Sequence, residues 1–163
     1  MSAHIRYEAM VRLKALLDAI PNNNGTLFGV TTAGDDDAIP CISIVEAIRP
    51  GETQLTSSQA TRKDSVDYLL TAWTTSTVDV VDRTAYEFLT EIEKVFAKII
   101  TGRNDGFSNS SEPDYLLGGT ITSFKWAAPI VHPPADRVKS LAYMYIPFTM
   151  AFAYNANNPD KEL

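Results

Sequence analysis

Apolar residues recur at offsets of three and four through residues 84–101, TAYEFLTEIEKVFAKIIT. Ala85, Phe88, Leu89, Ile92, Val95, Phe96 and Ile99 fall on one stripe of a helix, and Glu87, Glu91, Lys94 and Lys98 take the other side. Thr84 with Glu87 three residues on reads as a capping box, with Asp82 as the alternative start. Gly102 is the expected stop, with Lys98 and Arg103 near the negative helix end. This stripe is the largest source of core burial in the chain, at about 1.5–3 kcal/mol per fully buried large apolar side chain.

A second helix is expected over 2–20, where Ile5, Ala9, Leu13, Leu16, Leu17 and Ile20 keep helical spacing and Pro21 ends the run. Its narrower stripe suits packing on the rim of a sheet or against a neighbouring subunit. Strands are expected at 26–32, 41–49, 65–75, 118–128 and 140–154. The third is partly apolar on both faces, as a central strand is. The last places Ala142, Met144, Ile146, Phe148, Met150, Phe152 and Tyr154 on one apolar face. Its Pro147 has no N–H for a ladder, so the strand is at an edge there or carries a bulge. Its length leaves one end to project into a neighbour. Between these elements lie two long polar segments. Residues 50–64 form a hairpin tip or an extended ribbon, and 102–117 a disordered stretch or an extended arm. The polar tail 155–163 is expected to be flexible.

The pattern predicts a single α+β domain over 1–154. An antiparallel or mixed sheet of about five strands carries two helices on one face, in the order α-β-β-β-α-β-β. The length of 163 residues fits one domain. A net charge of −6 argues against a general nucleic-acid backbone binder, and Arg62 with Lys63 is too little for a basic patch. The single Cys41 excludes an intrachain disulfide. No apolar run is long enough to span a bilayer, and charge falls where a signal peptide would carry its apolar core. The closing DKEL and the acceptor-like Asn109-Ser110-Ser111 are discounted on that ground.

Templates for catalysis come back empty. There is no phosphate loop, no G-x-S-x-G, and no zinc or haem spacing among Cys41, His4 and His132. Asp35, Asp36 and Asp37 read as a solvated turn, since calcium loops alternate their ligands. Cys41 reads as a buried small residue, His132 as structural, and Glu87 with Glu91 as a solvated pair on the polar side. No catalytic residue, cofactor or metal is therefore assigned.

The element order, length and acidic composition together resemble the tail terminator (tail completion) proteins of long-tailed bacteriophages. The likeness runs over residues 2–154: the opening helix IRYEAMVRLKALLDAI, the strands TLFGVTT and CISIVEAIR with the ribbon after them, the strand ending in TAW before DRTAYEFLTEIEKVFAKII, and the closing AYMYIPFTMAFAY. It is a likeness of architecture, and no functional residue is carried over. It implies a structural virion subunit, assembled in the host cytoplasm, that forms a homohexameric ring. The ring caps the tail tube at the head–tail junction, ends polymerisation and offers the surface that joins the head. The implied partners are further copies of the chain, the tail tube protein and a head-completion or connector protein. Another neck protein, or a small-molecule binding domain or enzyme, are the alternatives. From this sequence itself the candidate contact residues are Leu55, Gln59, Arg62 and Lys63 in the first long segment, and Phe107 and Tyr115 in the second. Phe107, Tyr115, Leu116 and Leu117 are apolar residues that a loop would otherwise expose.

Overall fold

The computed structural model describes residues 4–30, 38–46, 52–56, 61–75, 83–105, 107–132, 141–155 and 157–162. Among them, in chain order, are α1 (Ile5–Asp18), β1 (Thr26–Phe28), β2 (Cys41–Glu46), β3 (Glu52–Thr56), β4 (Thr61–Thr75), α2 (Arg83–Thr101), β5 (Ser123–Trp126), β6 (Ile130–His132), β7 (Leu141–Asn155) and β8 (Asn158–Glu162). The strands form one mixed sheet whose main path is β1-β2-β4-β7-β5. Only the β1–β2 pair is parallel among the described residues. The five strands of that path, with the two helices, follow the expected α-β-β-β-α-β-β order. Three short strands lie off it: β3 beside β4, and β6 and β8 beside β7.

The spine of the sheet is the β4–β7 ladder, paired in full from Thr61↔Asn155 to Thr75↔Leu141. Alternation sends every second residue to the helix side, in rows such as Ile42–Ala72–Met144 and Ile44–Leu70–Ile146. These rows, the stripe of α2 and the buried face of α1 make one hydrophobic core, so both helices cover the same face. Phe96 of α2 sits at its centre, fully buried, with ring centroids 4.9 Å from Phe124, 5.5 Å from Phe148 and 5.6 Å from Trp126. The opposite face carries a second aromatic row, where His132 stacks on Tyr143 at 4.8 Å. Cys41 is buried.

Several boundaries move. Of the two readings of 50–64, its described residues take the ribbon: β3 pairs with the first residues of β4, from Thr56↔Thr61 to Glu52↔Ser65. The fifteen residues of β7 are matched by fifteen of β4, so the extra strand length is absorbed inside the chain. Pro147 lies in the middle of the sheet, opposite Leu69. Its carbonyl accepts from Ala127 N–H at 2.9 Å, which places its backbone polar groups on the side away from β4. There the outer strand is broken between β5 and β6, so no ladder donor is missed. β6 lies between two of the expected strands, and the polar tail runs into β8. The helix 2–20 is observed as Ile5–Asp18, with the His4 side chain accepting from Arg6 N–H at its start.

α2 begins at Arg83, so Thr84 lies inside the helix and the Thr84–Glu87 box does not form. Glu87 instead accepts from Arg83 at 2.7 Å. Gly102 ends the helix as expected, at φ +75, with its N–H on Lys98 O. The next segment is neither disordered nor an arm among its described residues. It folds back through a 3-10 turn at Tyr115–Leu117, tied by Arg12 Nη1 to Leu117 O at 3.0 Å and by Lys98 to Asp114 at 2.6 Å. Leu116 and Leu117 take left-handed φ of +45 and +54. That strain of about 1–3 kcal/mol per residue is offset by burying Leu117 completely and Leu116 in part.

Candidate association surface

The expected contact residues fall at two ends of the molecule. Leu55 is on β3, in register with Arg62 on β4. Arg62 and Lys63 are neighbours on β4 and so point to opposite faces. Lys63 is exposed, whereas Arg62 Nε holds the buried Asp64 carboxylate at 2.9 Å with its guanidinium 5.8 Å from the Tyr154 ring. Tyr154 donates its hydroxyl to the same carboxylate at 2.7 Å, and His4 packs edge-on against its ring. Burial, then the bond to Asp64, holds the Tyr154 phenol above its usual pKa. The bond to Asp64 likewise raises Arg62. Arg62 is therefore part of the pin that joins the end of the long ladder to the start of α1, with its side chain still partly exposed.

Phe107 follows the C-terminus of α2, whose Thr101 shares a cleft with Ala19 and Ile20 at the far end of α1, and is 74% exposed. About 20 Å of helix, at 1.5 Å per residue, separates it from the Arg62 end. Tyr115 opens the 3-10 turn and is half-buried. Of the four apolar residues that a loop was expected to expose, only Phe107 stands free of the fold. Gln59 lies outside the described residues, as do Asp35, Asp36 and Asp37.

A surface that the sequence did not single out lies between α1 and the sheet edge. β1 ends the main path of the sheet. Gly25 O and Gly29 N–H bond to β2, so by alternation the backbone groups of Thr26 and Phe28 face outward. Lys14 Nζ covers part of that edge by donating to Thr26 O at 2.9 Å and to Asp18 at 2.7 Å. A lysine there discourages indiscriminate strand addition. Beside it runs an open groove of about 950 Å³, with Met10, Ile44 and Tyr68 among its lining. Three large apolar side chains stand along it: Tyr7 at 64% exposure, Val11 at 47% and Phe28 at 44%.

The charged groups of the groove are settled. Arg6 reaches Glu46 at 2.8 Å. Burial would lower its pKa, but Tyr68 and Glu46 outweigh burial and hold it above the usual value. Burial raises the Tyr68 phenol. Asp18 is held below the carboxylate range, because the bonds from Lys14 and Thr26 outweigh its burial. The groove therefore offers apolar contact framed by ion pairs. The signal was present in the sequence: Tyr7 and Val11 lie four apart on α1, outside the stripe that feeds the core. Phe28 was legible only as one of several apolar residues in a strand.

Glu87 and Glu91 are occupied. Glu87 pairs with Arg83 and Glu91 with Lys94, both on the solvated side of α2. Among the described residues no three His, Cys, Asp or Glu side chains gather as metal ligands, and no helix is long and apolar enough to cross a membrane. Compared with protein-family models and with curated proteins, the chain finds no match in either.

Proposed function

We propose that this chain is a structural virion subunit that assembles with copies of itself into a ring, a hexamer in the implied family, which caps a phage tail tube. In this reading the ring ends tube polymerisation and presents the surface on which the head docks, without catalysis. The observation that carries it is the groove beside β1, where Tyr7, Val11 and Phe28 lie exposed together at the open end of the sheet. Grouped exposed apolar residues mark association surfaces. In an otherwise acidic chain of net charge −6, they favour one specific contact over general self-adhesion. The pinned β4–β7 ladder supports the same reading, since a ring subunit has to carry force between neighbours on a rigid frame. Lys63 and Phe107, exposed at opposite ends of the subunit, are suited to the tube and head proteins.

Electron microscopy of particles assembled without this protein tests the role. A terminator predicts tails of unregulated length that fail to join heads. Tails of normal length that fail to join would move the protein to the neck, and normal virions would refute both placements.

A further inference from the structure

The groove needs a counterpart, and α2 carries one. Tyr86, Glu93 and Ile100 repeat every seven residues and so share one flank of α2. Tyr86 is 49% exposed and Ile100 38%. The other flank of α2, with Val95 and Lys98, faces the end of α1 across a shared cleft. On α1 the matching flank, with Arg12 and Leu16, is the one turned to α2 and the 3-10 turn. The Tyr7–Val11 side and the Tyr86–Ile100 side therefore lie on opposite outer flanks of the helix layer. One molecule cannot bring them together; two copies side by side can.

Their charges are complementary. Glu87 and Glu91 are held by Arg83 and Lys94, whereas Glu93 is in no ion pair among the described residues. It sits midway between two exposed apolar side chains. In the groove, Lys14 uses two of its three donors on Asp18 and Thr26 O, which leaves one for an incoming carboxylate. Lys14 lies one helical turn from Val11, and both line the groove with Phe28.

We infer that the α1/β1 groove of one copy receives the outer flank of α2 from the next copy, with Tyr86 and Ile100 against Tyr7, Val11 and Phe28, and Glu93 directed to Lys14. This rests on the ring reading and names the contact that closes the ring. The two patches differ, so the contact is head-to-tail and each subunit keeps one patch free for a further copy until rotation closes the circle. An isologous dimer, in which a groove meets a groove, would stop at two.

Two variants on half-exposed positions test it: Val11→Glu, which spoils the groove, and Tyr86→Glu, which spoils the α2 flank, the two like charges keeping the doubly altered interface apart in a mixture. Circular dichroism and thermal melting confirm first that each folds as the parent does. Native mass spectrometry, with purified tail tubes present, then reads assembly. The wild type is expected as a ring, each variant alone as a monomer, and a 1:1 mixture as a heterodimer, because one good patch of each kind survives. A variant that still forms the full ring alone, or a mixture that stays monomeric while the wild type assembles, overturns this contact and leaves the ring reading standing. A wild type that remains monomeric on tail tubes overturns both.

Discussion

Phe96 shows what a single residue contributes to this fold. It is fully buried and touches the rings of Phe124, Trp126 and Phe148, so it joins α2 to both β5 and β7. Truncation removes its own burial and leaves a cavity among rigid rings. Phe96→Ala is expected to lower unfolding stability by about 3–5 kcal/mol, read as a shift in the urea midpoint. A loss below about 1 kcal/mol would show that the aromatic cluster does not hold the helix. Tyr154 makes a different prediction. Its phenol is raised above the ordinary 10.0 by burial and by the bond to Asp64. A raised folded pKa means that its contribution is complete below pH 10.0 and is lost as pH climbs through the folded value. Tyr154→Phe should cost about 1–2 kcal/mol at neutral pH, since Asp64 loses a donor. The gap to wild type should narrow as pH rises above about 10, and a gap that stays constant to pH 11 would contradict the assignment. Residue identity alone could not reveal this pin, because Arg62, Asp64, Tyr154 and His4 are brought together only by the register of β4 on β7 and the start of α1.

At the scale of elements, what was legible followed from periodicity. The seven apolar positions of 84–101 sit on a single stripe, and the structure turns that stripe to the core. Alternation in 140–154 placed Ala142 to Tyr154 on the core face for the same reason. Polar or proline-bearing strands were less legible. The ribbon of β3 with the start of β4 has few large apolar residues in its sequence, so it stood only as one of two readings, and β6 lies just before Pro133 and Pro134. Both are held by ladder hydrogen bonds, which carry no side-chain signature. Pro147 misled because its tolerance depends on a break in the neighbouring strand. Gly102 was read correctly, and its neighbours explain why it is required. At φ +75 a Cβ would also lie 2.6 Å from the Asn109 carbonyl oxygen, which belongs to the returning backbone. Gly102→Ala is expected to cost more than the ~1 kcal/mol of a simple left-handed penalty and to loosen the 107–117 segment. Proteolysis at that segment should accelerate, and an unchanged rate would show that the return does not depend on the turn.

For the molecule as a whole, the α+β order and the covering of one sheet face by two helices were open to sequence reasoning, because both depend on where apolar residues fall. The candidate association surface was only partly legible. Of the candidate contact residues, Phe107 and Lys63 are exposed and Arg62 is engaged within the fold, while the Tyr7–Val11–Phe28 group emerges only when α1 is laid beside β1. A surface made from two elements has no single period to betray it. The same subunit frame supports a ring if the flanks of its helix layer are the joints and the long ladder is the strut between them. The direct test is native mass spectrometry of the purified wild-type protein at high concentration, alone and with purified tail tubes. A single closed oligomer of defined stoichiometry, formed in solution or on the tube, is predicted. A species that stays monomeric in both conditions and does not bind tubes would contradict the account.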